Sequence, residues 1–437
     1  MIKKEAILYT AKELADAGKD NIPEIYQSGS QLVYSSPATL AYNSPGAEGF
    51  GVKRAGLSVP GSIMLIVAPG CCGRNTSSIA RIKGYADRFF YLDMTDTDLV
   101  TARHLRKIPE AVKEIVTFQE QQGKKPSLVM ICITCVDALL GTDMERVSRK
   151  AEELAGVPVR PCYMYALTRE GRKPPMVHVR QSLYELLPKQ KKKGTSVNLM
   201  GFFAPLIDDC ELYSILKNIG VKHVREISRC DSYEEFLTMG EANFNIVLHP
   251  EARAAAEDLL ERLDIPYVEM QRLYQVDQIE KQYTAFGQAI GYEIASPNKK
   301  KEACDAIAAL QDARPDLTFT IGEAMNGNPF ELALALVRYG FKVSEIYATP
   351  APEHYVYLTP LAALSPDTRV YCNMEPTMLY YDSSVSTADV TIGKDAAFYH
   401  PDAAHIYWNE DIQPFGYAGV TKLMTEILKE VSDEGTS

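Results

Sequence analysis

Residues 127–164 read SLVMICITCVDALLGTDMERVSRKAEELAGVPVRPCYM, and the order of patterns within them decides the fold. The apolar run SLVMICITC (127–135) has the length of a buried strand. GTDMERVSRKAEELAG (141–156) has a helical period, with Thr142 or Asp143 as its N-cap and Gly156 as its stop. VPVRPCYM (157–164) returns to strand, completing a βαβ unit, the building block of a parallel sheet.

Working outward, SIMLIVAPG (62–70) is a second strand of the same kind upstream. Downstream, VNLMGFF (197–203), VREIS (224–228), FNIVLH (244–249) and PYVEM (266–270) alternate with helices expected to begin near Asp208, Ser232 and Pro250. LTFTIGEA (317–324), KVSEIYA (342–348), RVYCN (369–373), ADVTIG (388–393) and HIYW (405–408) repeat the theme, and a C-terminal helix follows the PFGYAG turn (414–419). The fold class is therefore α/β, built from open parallel sheets with helices on both faces. Two lysine-rich connectors, PKQKKKG (188–194) and PNKKKE (297–302), divide the chain into an N-terminal α/β domain at 1–190, a middle one at 191–297 and a C-terminal one at 298–437. Each connector reads as a solvated linker or as a docking patch for an acidic partner. The opening MIKKEAILYTAKELADAG (1–18) reads as a polar amphipathic helix.

At 437 residues the chain holds ample apolar material for a core in each block. The 46 Lys and Arg against 57 Asp and Glu give a net charge of −11, the opposite of a nucleic-acid footprint. No run approaches the ~18 apolar residues of a membrane span, and no secretory h-region opens the chain. The expectation is a cytoplasmic protein with neither nucleic-acid nor membrane partners, its nine cysteines reduced.

Ligands of open α/β sheets bind outside the carboxyl ends of the strands. Cys71 and Cys72 follow SIMLIVAPG and Cys135 follows SLVMICIT, so these thiols can converge on one inorganic centre. Pro69, Gly70 and Gly73 let the backbone approach a bulky ligand, and sulfur-only ligation favours iron-sulfur or zinc. Pairing of the chain about a two-fold axis would double the thiolates to the four a cubane requires. Cys132, formally in a CxxC with Cys135, reads as core packing or as half of a redox or zinc pair. Cys162, Cys210, Cys230, Cys304 and Cys372 lack neighbouring sulfur in sequence and read as packing.

Pro69-Gly70-Cys71-Cys72-Gly73 resembles the G-P-x-G-C-G cluster loop of nitrogenase component 1 proteins. Thr134-Cys135 through Gly141-Thr142-Asp143 resembles that family's T-C-x-x-x-x-I-G-D-D segment. Asn245–His249 with Ile265-Pro266-Tyr267, Ala388–Gly393 and Pro414–Gly419 resemble later family elements in the same order. The resemblance implies three Rossmann-like open parallel-sheet domains around a central cleft, in a homodimer or a heterodimer with a homologous subunit. It implies an iron-sulfur cluster shared at the dimer interface, with Cys72, Cys135 and Cys71 as candidate ligands and Pro69, Gly70, Gly73 and Thr134 around it. It also implies a separate ATP-hydrolysing iron protein as electron donor; this chain has no GxxxxGK(S/T) loop.

The departures narrow the reading. Where the family carries a first cysteine in C-A-Y-A-G-A, this chain reads Leu40-Ala41-Tyr42-Asn43-Ser44-Pro45-Gly46-Ala47, which fits a 4Fe-4S cluster unless Cys71 supplies the missing sulfur. The cysteine that holds the molybdenum cofactor in dinitrogenase corresponds to His249, and Pro414-Phe415-Gly416-Tyr417 has no histidine just before the turn where the family's second ligand stands, so an iron-molybdenum cofactor is not expected. His249 at a strand end reads as acid, metal ligand, hydrogen-bond donor or ordinary surface residue. His400, His405 and Arg74 are secondary candidates for the same cavity or for the cluster. The leading function is the catalytic, electron-accepting component of a nitrogenase-like reductase acting on a substrate or second metal centre. The alternatives are a metallocluster assembly or carrier scaffold and a structural partner subunit.

Overall fold

The computed structural model describes residues 5–26, 51–70, 85–134, 140–163, 173–191, 194–373 and 375–433. These residues form three sheets. The first contains β2 (Ser62–Ala68), β3 (Phe89–Asp93), β4 (Leu128–Ile133) and β5 (Val159–Tyr163), all parallel, in the order β3-β2-β4-β5. The second contains β6 (Ser196–Met200), β7 (His223–Arg225), β8 (Phe244–Val247) and β9 (Tyr267–Glu269), also all parallel, in the order β7-β6-β8-β9. The third joins β1 (Leu8–Thr10), β10 (Thr318–Gly322), β11 (Lys342–Tyr347), β12 (Arg369–Tyr371), β13 (Val390–Ile392) and β14 (Ala404–Ile406), in the order β1-β12-β11-β10-β13-β14. Only β1 runs antiparallel there, with Leu8 opposite Tyr371. The β2–β5, β6–β9 and β10–β14 strands lie within 1–190, 191–297 and 298–437 respectively.

Every residue of β2 and β4 is buried, as expected of strands covered on both faces. Alternation divides them between two cores. Ile63, Leu65, Val67, Val129, Ile131 and Ile133 pack with Ile108, Val112 and Val116 of the helix His104–Gln121. Met64, Ile66, Ala68, Met130 and Cys132 face the other way, toward Val179, Leu183 and Tyr184 of the helix Pro175–Tyr184. The helix Met144–Ala155 starts and stops where its caps dictate: the Asp143 side chain accepts from the Arg146 amide, and Gly156 takes a left-handed conformation at φ 67°.

Two sequence expectations are corrected. Within 1–18, Leu8–Thr10 form strand β1 ahead of the helix Ala11–Ala17, because the edge of β12 offers its backbone partners. PNKKKE is no linker: Pro297 is the first residue of the helix Pro297–Ala313, a position where its missing N–H costs nothing. Its lysines are neutralised by carboxylates: Lys299 by Asp209 and Glu302, Lys300 by Glu280 and Lys301 by Asp305.

The chain divides into two compact units. One comprises Pro45–Pro205 and Gly220–Gln271 and holds the first two sheets; the other comprises Met1–Ser44, Leu206–Ile219 and Arg272–Ser437 and holds the third. In the latter, Glu211 accepts from the Tyr417 and Ala418 amides, anchoring the helix Gly416–Asp433, and from the Tyr283 hydroxyl. Among the described residues no helix is long and apolar enough to cross a membrane.

Candidate functional site at the strand switch points

In each sheet there is one place where neighbouring parallel strands send their connections to opposite faces, leaving a crevice at their carboxyl ends. The strand orders put it between β2 and β4, between β6 and β8, and between β10 and β13.

At the first, β2 and β4 pair in register, with Ile66 opposite Cys132 and Val67 opposite Ile133. The segments that continue them, Pro69-Gly70 and Thr134, therefore leave side by side. Cys71, Cys72, Gly73 and Arg74, like Cys135, lie outside the described residues, as does the Leu40–Ala47 stretch. The Tyr91 hydroxyl (2.8 Å) and the Met94 amide (3.0 Å) donate to the Ala68 carbonyl and fix the end of β2. Cys132 is fully buried opposite Cys162, so it packs the core. Thr134 is buried, and its hydroxyl has no hydrogen-bond partner among the described residues.

The chain re-enters regular structure at Gly141 (φ 61°), Thr142 and the Asp143 cap. There the His104 ring, itself buried, lies with Nε2 3.2 Å from the Thr142 hydroxyl and Nδ1 3.2 Å from the Asp98 carbonyl oxygen. A carbonyl can only accept, so in the neutral ring Nδ1 carries the proton and Nε2 accepts from Thr142. The Asp98 carboxylate, 1% exposed, is 2.7 Å from Lys107 Nζ and accepts from the Thr95 amide and hydroxyl. The hydrogen bonds from Lys107 and Thr95 hold its carboxyl below the usual range.

The second crevice lies between Gly201 and His249. A β-carbon on Gly201 would stand 2.7 Å from the His249 amide nitrogen, so only glycine lets the two strand ends approach this closely. His249 caps the turn Pro250–Ala252, its Nδ1 accepting from the Glu251 amide at 3.3 Å and standing 3.6 Å from the Glu251 carboxylate. Beneath it, buried Arg180 donates to the Gly201 carbonyl through Nε (2.9 Å) and Nη2 (2.7 Å), and to Glu251 and the Met176 carbonyl through Nη1. Burial pulls the Arg180 guanidinium below its ordinary value, with Glu251 opposing that shift. His249 itself is partly exposed.

The third crevice holds two carboxyl groups that the sequence reading passed over. Asp395 accepts from the Glu323 amide (2.8 Å) and the Ala324 amide (3.2 Å), and the Asn373 amide group donates to both Asp395 (2.8 Å) and Glu323 (3.0 Å). Desolvation, with Asp395 second, pushes the Glu323 carboxyl up to about 7 even though part of its side chain meets solvent. The only sequence signal was position: Glu323 follows LTFTIG at the carboxyl end of a strand. His400 is engaged elsewhere, its Nε2 within 3.0 Å of Glu345 and of the Tyr347 and Tyr381 hydroxyls; His405 lies 2.9 Å from the Thr391 hydroxyl. Among the described residues no group of three or more His, Cys, Asp or Glu side chains is arranged to hold a metal ion.

The family described as nitrogenase component 1 type oxidoreductase matches residues 48–432. The chain belongs to that family. Its relatives include a nitrogenase iron-molybdenum cofactor biosynthesis protein NifE of Rhizobium meliloti (strain 1021), 28% identical over 185 residues, covering 41% of this chain and 38% of the relative. The NifE of Klebsiella pneumoniae is 26% identical over 193 residues, 41% of each chain. A nitrogenase molybdenum-iron protein alpha chain of Methanosarcina barkeri is 24% identical over 183 residues, 41% of this chain and 33% of that one. The matches thus span about two fifths or less of these relatives' lengths. Over the whole molecule, the solved structure "Nitrogenase Cp1 at pH 6.5" superposes with a TM-score of 0.68 at 16% identity, covering 92% of this chain and 93% of the other. The nitrogenase component 1 fold, with its several parallel sheets, is thereby shared, and iron-sulfur chemistry is general to the family.

Proposed function

We propose that this chain is the electron-accepting catalytic component of an ATP-dependent nitrogenase-like reductase, with an iron-sulfur cluster held by Cys72 and Cys135 and with Cys71 as the alternative to Cys72. The observation that supports this reading is the in-register pairing of β2 with β4 at a switch point, because in the sequence Cys71 and Cys72 follow β2 and Cys135 follows β4. The donor set fits: Thr134 precedes Cys135, and its buried hydroxyl, without an acceptor among the described residues, is suited to donate to a sulfur. Two such cysteines from each of two subunits, identical or homologous, make the four thiolates of a 4Fe-4S cluster. When bound, that cluster supplies one-electron transfer at low potential.

The chain's own residues would do the rest. Pro69, Gly70 and Gly73 admit close approach of main chain, Thr134 orients a sulfur, and His249 holds a proton or hydrogen bond toward a substrate or second metal centre. Nucleotide hydrolysis would fall to a separate iron protein in the cytoplasm, with domains at 1–190, 191–297 and 298–437 in this chain. A scaffold that assembles or carries a metallocluster without turnover is the second reading, favoured by the NifE relatives, which are named for cofactor biosynthesis. Iron and sulfide analysis with spectra of anaerobically purified protein tests the shared premise, and iron-free, colourless material overturns both. Addition of an iron protein and ATP separates them: reduction followed by substrate-dependent reoxidation supports the reductase, whereas transfer of the cluster to an apo-acceptor supports the scaffold.

A further inference from the structure

Alternation along β11 and β12 puts Glu345 and Tyr347 on one face of the third sheet, with Arg369 and Tyr371 opposite them in register. That face is covered, and neither Glu345 nor Tyr347 keeps any exposed surface. Oε2 of Glu345 accepts from the Tyr347 hydroxyl at 2.6 Å and the Tyr381 hydroxyl at 2.8 Å, and stands 3.0 Å from His400 Nε2. The Tyr347 hydroxyl lies 2.7 Å from that of Tyr381 and 2.9 Å from His400 Nε2. Desolvation pushes the Glu345 carboxyl up, but the hydrogen bonds from His400, Tyr347 and Tyr381 outweigh it and hold the group below its ordinary value, so it stays ionised. The rings around it are tyrosines as well. Tyr347 stacks on Tyr399 with centroids 4.6 Å apart, Tyr399 meets Tyr381 at 4.8 Å, and Tyr381 meets Tyr371 at 5.3 Å. Tyr381 is half-buried, so the series of touching rings runs from the surface to a phenol that meets no solvent. Packing alone does not require this set, because leucine and phenylalanine would fill the same space without desolvating a carboxylate.

We propose that Tyr347 is a redox-active residue that takes up the oxidising equivalent of one-electron oxidants derived from dioxygen, such as hydroxyl and peroxyl radicals, by way of Tyr381 and Tyr399. Oxidants of this class arise where reduced iron-sulfur centres meet dioxygen, and iron-sulfur chemistry is general to the family. The oxidant gains one electron and becomes its anion, while the phenolic proton of Tyr347 passes to Glu345 Oε2. The products are a neutral tyrosyl radical and a protonated carboxyl. A one-electron donor of the ascorbate class then returns the electron, and the proton moves back from Glu345 to the phenoxyl oxygen. Burial keeps the radical from coupling with a second molecule. The site does not depend on where a cluster is bound.

Illumination of the full-length chain with ruthenium tris-bipyridine and an irreversible cobalt-ammine electron acceptor supplies a one-electron oxidant in solution, and EPR after freezing counts the organic radical. Wild type is expected to give a tyrosyl signal with a long-lived component, formed more slowly in heavy water because a proton moves with the electron. Tyr347→Phe removes one hydroxyl and keeps the ring stack, and it should lose that component. Glu345→Gln cannot take the proton as a carboxylate does and should lose it too. Tyr407→Phe, at a half-exposed ring outside the stack, should match wild type. A long-lived component that survives in either of the first two variants overturns the proposal, and so does a wild type that shows none. Should Glu345→Gln fail to fold, Tyr347→Phe and the solvent-isotope comparison decide the matter.

Discussion

A β-carbon on Gly322 would overlap Oδ1 of Asp395, because that carboxylate lies directly against the glycine at the end of β10. The third switch point is therefore shaped by a missing side chain. Gly322→Ala must displace Asp395 and break its bonds to the Glu323 and Ala324 amides. Overpacking of this kind costs about 1–3 kcal/mol, and thermal denaturation should show a corresponding fall in Tm.

The same pair governs an ionisation. Desolvation first, and the neighbouring Asp395 second, raise Glu323 to about 7. Asp395→Asn removes the second of those causes and leaves the Asn373 bond, so the Glu323 midpoint should fall. Side-chain carboxyl NMR of selectively labelled protein reads it directly; an unchanged midpoint would remove Asp395 from the account.

Two other carboxyls give opposite pH dependence. Buried Glu331 accepts from the Tyr274 and Gln275 amides and the Gln275 side chain, yet desolvation raises it from 4.5 to about 7. The folded chain then binds this proton more tightly than the unfolded one, so stability falls as pH rises from ~4.5 through ~7, by on the order of 3 kcal/mol. Glu331→Gln should flatten that slope in denaturant titrations. Asp98 is lowered from 3.8, so its contribution is complete above ~4 and is lost on acidification; Asp98→Asn should weaken the acid limb and leave the neutral one.

Arg180→Lys tests the support beneath His249. A single ammonium cannot hold the Gly201 carbonyl twice while also reaching Glu251 and the Met176 carbonyl. A loss of about 2–4 kcal/mol in chemical denaturation is expected, because a buried carbonyl and a charged partner are left unmatched.

Cys132→Ala separates the two readings of the CxxC pair. Fully buried in β4, Cys132 should be replaceable at a cost of about 1 kcal/mol with iron content unchanged. Cys135→Ser should abolish iron binding; loss of iron in both variants would make Cys132 a ligand.

Much of this architecture was readable beforehand because its cause is local. SIMLIVAPG and SLVMICITC are apolar on both faces, as two-sided burial demands, and Asp143 and Gly156 bracket their helix by cap chemistry alone. What escaped depends on distant partners. Nothing in LYT announces a strand until β12 offers an edge, and the lysines after Pro297 look like a solvated tract until Asp209 and Glu280 neutralise them. Glu323 and His104 were invisible for the same reason: Asn373, Asp395 and Thr142 give them their chemistry from afar.

Strand β1 also imposes a schedule on biosynthesis. Tyr26 donates its hydroxyl hydrogen to the carbonyl of Val370, 344 positions later in the chain. At ~5–20 residues per second the ribosome needs roughly 17–70 s to deliver that acceptor. Throughout that interval the nascent amino-terminal segment lacks its pairing surface, while the strands of the first two sheets are synthesised one after another. Once β12 appears, its outer rim is exposed to intermolecular pairing until β1 arrives from the far end of the polypeptide.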